Sequence, residues 1–64
     1  MLASGFVLRS DHHFRVAMHN NLPVEVWLSG KLHDYGGPIE VNTDDMVKIN
    51  GLRFAKVMFE FRIR

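Results

Sequence analysis

Six side chains in this sequence carry the chemistry of a ligand that is both anionic and aromatic: Arg15, Trp27, Lys31, Tyr35, Arg62 and Arg64. Guanidinium and ammonium groups neutralise phosphates, and an aromatic ring exposed on a sheet stacks on a base for about 1–3 kcal/mol. Lys48, Arg53 and Lys56 extend the cationic set. Alternation along residues 24–29 turns Trp27 away from Val26's neighbours on the inner face and onto an outer one. Two plainer readings compete. The cations also serve as ordinary surface charge paired with Glu25, Glu40 and Glu60, and a tryptophan is more often covered than bare.

Other chemistries find less support. His12 and His13 are adjacent, so an extended backbone points them to opposite sides, and no HxxxH or HExxH spacing joins them to His19 or His33. No metal and no other cofactor is expected. Ser4, Ser10 and Ser29 lack the GxSxG elbow, and Asp44-Asp45 has no partner spacing for acid–base work. The sequence therefore points away from an enzyme.

Size and composition narrow the classes further. A chain of 64 residues makes one domain, spanning 1–64, and such a domain buries only about 60% of its unfolded surface. With no cysteine to staple it, stability must come from the 47% of residues that are hydrophobic. Absence of cysteine, of a signal-like start and of a membrane-length apolar run sets a cytoplasmic expectation with no membrane partner. The formal charge is only +1, small for a chain that binds phosphates.

Strand-type alternation dominates the elements that must position these groups. Phe14, Val16 and Met18 alternate with Arg15, Ala17 and His19, which predicts a strand over 14–19. Asn20-Asn21-Leu22-Pro23 is turn chemistry, and a second strand follows over 24–29. Ser29 could cap a short helical turn before Gly36-Gly37-Pro38 breaks the chain. Asn50-Gly51 predicts a tight hairpin between a strand at 46–49 and a long final strand at 53–64. These elements predict an all-β fold: a small five-stranded OB-fold Greek-key barrel with a short helical turn between strands three and four.

The order of several short strings carries a resemblance. Gly5-Phe6-Val7-Leu8, Phe14-Arg15-Val16, Ser29-Gly30-Lys31, Tyr35 and Phe61-Arg62-Ile63-Arg64 together resemble bacterial translation initiation factor one, of the S1-like OB-fold family. The resemblance implies an RNA-binding monomer that contacts small-subunit ribosomal RNA during translation initiation. By it, Arg15, Lys31, Arg62 and Arg64 would contact phosphates, and Trp27 and Tyr35 would stack. The family's basic run after SGK is replaced here by Leu32-His33-Asp34-Tyr35-Gly36-Gly37. That loss favours an alternative, a redesigned or diverged OB-fold domain that serves as a structural or protein-interaction module without RNA. A third reading is an Sm-like or SH3-like small barrel that forms rings.

Overall fold

A computed structural model describes residues 2–64. The chain runs α1 (Asp11–His19), β1 (Val24–Leu28), β2 (Lys31–Gly37), β3 (Ile39–Asn42), β4 (Met46–Ile49), β5 (Leu52–Ala55) and β6 (Glu60–Ile63). Two three-stranded antiparallel sheets result, ordered β2-β1-β6 and β3-β4-β5. They are open sheets, so the expected closed five-stranded OB-fold barrel is not what this sequence forms.

The first departure is α1, which stands where a strand is expected over 14–19. Ser10 caps it in a reciprocal box: its Oγ accepts from the His13 backbone N–H, and His13 Nδ1 accepts from the backbone N–H groups of Arg9 and Ser10. With the helix started at Asp11, Phe14 and Ala17 fall three residues apart on one buried stripe, with Met18 beside them. Six residues of alternation fit a strand equally well; the cap decides the matter. Leu22 N–H reaches back to Ala17 O at 2.9 Å, and Asn21 takes a positive φ of 53°, closing the helix ahead of Pro23.

The second departure lies at Ser29-Gly30. Their φ values of 50° and 77° make a tight two-residue turn, and Leu28 pairs with Lys31 across it. Residues expected in a helical turn therefore belong to β2. Both strings that carried the resemblance thus take other roles: Phe14-Arg15-Val16 lies on a helix, and Ser29-Gly30-Lys31 is a hairpin tip. The family assignment falls with the barrel.

The third departure divides the final strand. Asn50-Gly51 forms the expected hairpin, with φ values of 52° and 77°. After β5, however, the N–H groups of Met58 and Phe59 both turn back to Ala55 O, and the chain leaves the second sheet to pair with β1 as β6. The buried positions consequently switch from Phe54 to Phe61 and Ile63.

One apolar cluster fills the space between the sheets and α1. Val24, Val26, Val47, Ile49 and Phe61 are its most deeply buried large side chains. Phe14 packs edge-on against Phe61 at 5.4 Å, which ties the helix to β6. Residues 5–8 lie along the outer edge of β6, where Gly5 N–H meets Ile63 O, Ile63 N–H meets Phe6 O and Leu8 N–H meets Phe61 O. That edge is closed. The outer edge of β5 is not.

Candidate docking surface

The predicted site residues separate into three places. On the outer face of the first sheet, the Arg62 guanidinium lies 3.9 Å over the Trp27 ring and pairs with Glu60. Trp27 Nε1–H donates to Glu25 Oε1 at 3.0 Å, so the half-buried indole is engaged at its ring face and its polar edge. Arg64 lies 3.6 Å over the Tyr35 ring and donates to the carbonyls of Tyr35 and Gly36. Each arginine is thus spent on an aromatic neighbour within its own fold.

Arg15 is elsewhere, on α1, where it pairs with Asp11 one turn earlier at 3.0 Å. Lys31 sits exposed just after the β1–β2 turn. Trp27 and Arg62 therefore meet, as do Tyr35 and Arg64, while Arg15 joins neither pair. The ribosomal RNA partner rested on a barrel surface, and two open sheets stand in its place, so that expectation does not hold.

A cleft of about 260 Å³ opens between α1 and the β5–β6 turn, lined by Leu8, Arg9, Asp11, Phe14, Asp44 and Lys56 among others. Two of its four charged side chains, Lys56 and Asp11, already have partners. Lys56 Nζ lies 4.2 Å over the Phe14 ring and donates to Thr43 O, and Asp11 receives both Arg15 and Asn42 Nδ2–H. These contacts hold α1 against the second sheet. Among the described residues, no three His, Asp or Glu side chains gather as metal ligands.

The second sheet is different. The Asn50-Gly51 hairpin sets Ile49 against Leu52, Lys48 against Arg53, Val47 against Phe54 and Met46 against Ala55. In a two-residue hairpin the pair flanking the turn is hydrogen-bonded, and pairs alternate from there. Leu52 and Phe54 accordingly bond to β4, whereas Arg53 and Ala55 aim their backbone N–H groups outward. Among the described residues no strand lies beyond β5. Apolar side chains crowd this free edge: Leu52 is 53% exposed, and Val57 and Met58 in the following turn are 91% and 62% exposed.

The outer face beside that edge is cationic. Lys48 and Arg53 stand directly opposite each other in a non-hydrogen-bonded pair, where Cα atoms approach to about 4.5 Å. The ion pairs among the described residues are Arg15–Asp11 and Arg62–Glu60, so neither Lys48 nor Arg53 has a carboxylate partner. Both residues stand out in the sequence as cations, but their meeting does not. The signal was there: they lie symmetrically about Asn50-Gly51, and a two-residue turn fixes the register.

Comparison with protein families, with curated proteins and with solved structures finds no match to this chain.

Proposed function

We propose that this chain is a cytosolic binding module rather than an enzyme, and that it takes an extended segment of another protein along the free edge of β5. The observation that carries this reading is an open strand edge bordered by Leu52, Val57 and Met58. Unpaired edges are normally blunted by charge, proline, bulges or a covering element. The edge of β6 is covered by residues 5–8, β2 is bulged against β1 at two places, and β3, the other edge of the second sheet, is bulged against β4 and packs beside α1. β5 is unbulged and uncovered at Leu52 and Arg53, and the single charge of Arg53 is its one protection there. An added strand would gain main-chain hydrogen bonds from the N–H and carbonyl of Arg53 and from the N–H of Ala55, whose carbonyl already accepts from Met58 and Phe59, and would cover the apolar side chains next to them.

The test selects extended peptides from a displayed random library against the immobilised domain, then maps the best of them by backbone amide shifts. Selected peptides should perturb Arg53 and Ala55 most. Ala55→Pro removes one outward N–H without touching the bonds to β4 and should weaken binding at least tenfold while the domain stays folded. Peptides that instead map to Trp27 or to the cleft, or that bind Ala55→Pro equally well, contradict the proposal.

A further inference from the structure

We infer that the strand received by β5 carries a carboxylate directly opposite Arg53, which makes the partner an acidic extended segment; this rests on the docking reading above. The edge alternation places Arg53 where its backbone would form a hydrogen-bonded pair with the incoming residue. Side chains of directly opposed residues project from the same sheet face, so that residue's side chain lies next to the Arg53 guanidinium. On Arg53's other side stands Lys48, also without an acid.

Like charges directly opposite one another destabilise an antiparallel pair. The free domain therefore carries an unfavourable contact that an incoming carboxylate relieves, and a neutral or cationic residue does not. Flanking residues of the partner, one position to either side, project toward Leu52 and Phe54 and should be apolar. The recognised pattern is apolar-acid-apolar.

A second copy of this chain fits less well. Two β5 edges paired about a two-fold axis bring cationic strands together, with Arg53 facing the same strand of its mate. A ring needs a second free edge to receive β5. That of β6 is occupied by residues 5–8, β2 is bulged with its Asp34 carboxylate committed to Gly36 N–H, and β3 is bulged against β4 and packs beside α1.

Three blocked peptides, Thr-Val-Glu-Val-Thr, Thr-Val-Gln-Val-Thr and Thr-Val-Lys-Val-Thr, test this by titration against the full chain. The Glu peptide should bind about fivefold more tightly than the Gln peptide, the ratio that ~1 kcal/mol confers, and the Lys peptide most weakly. Arg53→Gln should abolish the Glu-over-Gln preference, and raised salt should shrink it. In the free domain, Arg53→Glu should raise Tm by about 2–6 °C by replacing repulsion with attraction to Lys48. Equal binding of the Glu and Gln peptides at β5 overturns the acidic preference and leaves the docking reading standing. Failure of all three to bind overturns both. An unchanged or lowered Tm in Arg53→Glu removes the repulsion on which the preference depends.

Discussion

Phe61→Ala leaves the chain largely unfolded at 25 °C. Phe61 is 1% exposed, pairs with Val26 through β6 and meets Phe14 of α1 edge-on at 5.4 Å. Its carbonyl also receives Leu8 N–H, so the residue joins the helix, the first sheet and the N-terminal segment. Truncating a buried phenylalanine costs about 3–5 kcal/mol, because the lost transfer free energy is compounded by a cavity. A domain of this size without disulfides or metal has a total stability of only about 3–5 kcal/mol. The two quantities are equal within error, which is why the expected result is loss of fold rather than a lowered Tm. Phe61→Leu keeps most of the volume and should remain folded with a reduced midpoint. Circular dichroism with a urea titration checks both; a Phe61→Ala variant that melts cooperatively within a few degrees of the parent contradicts the assignment of Phe61 to the centre of the core.

Gly36→Ala is expected to be as damaging, for a different reason. A Cβ at this position would lie 1.8 Å from Val24 O, inside the backbone of β1, and the residue has a φ of 71°. The obstacle is main chain in the middle of a sheet, which cannot swing aside as a side chain would. Any relief must open the β1–β2 pairing and with it three contacts at Gly36: its N–H to Asp34 Oδ1 and its carbonyl to Asn50 Nδ2–H and to Arg64. Gly30 supplies the control, since it has a φ of 77° but no heavy atom within 4 Å of an added Cβ. Gly30→Ala should cost only about 1–2 kcal/mol of left-handed backbone strain. Thermal melts of the two variants separate close approach from conformation. Equal, mild losses would mean that the hairpin does not press Gly36 against β1.

Local signals in this sequence were legible where turn chemistry was strong and ambiguous where periodicity was short. Asn50-Gly51 announces its hairpin without help, because few residue pairs accept two positive φ values in succession. The same logic applies to Ser29-Gly30, but serine also caps helices, so the pair alone is compatible with a helical turn as well as a hairpin. The cap belonged to Ser10, whose box with His13 uses an imidazole acceptor where glutamate or glutamine is the familiar partner. The uninterrupted alternation over 53–64 concealed a break, because nothing in Lys56-Val57-Met58 is a glycine or proline. That break is tertiary in origin: β6 has a better partner in β1 than in any continuation beside β4.

The candidate site shows the same division. Arg62 and Trp27 are recognisable in sequence as a cation and an aromatic, but only the β1–β6 register shows that they satisfy each other. Lys48 and Arg53 were recognisable as cations, and only the hairpin register makes them an unrelieved pair. Val57 and Met58 belong by type to a core, and the turn places them outside it. In each case the side-chain chemistry is local, while its availability to a partner depends on which strands meet.

Amide hydrogen exchange, residue by residue, tests the docking claim most directly. In the free protein, Val47 and Phe54 should exchange slowly because their N–H groups face each other across β4 and β5, while Arg53 and Ala55 should exchange fast. Addition of the Thr-Val-Glu-Val-Thr peptide should slow Arg53 and Ala55 by at least tenfold and leave the rest of the sheet unchanged. Slow exchange at Arg53 and Ala55 in the free monomer, or no slowing when the peptide is bound, would contradict the account.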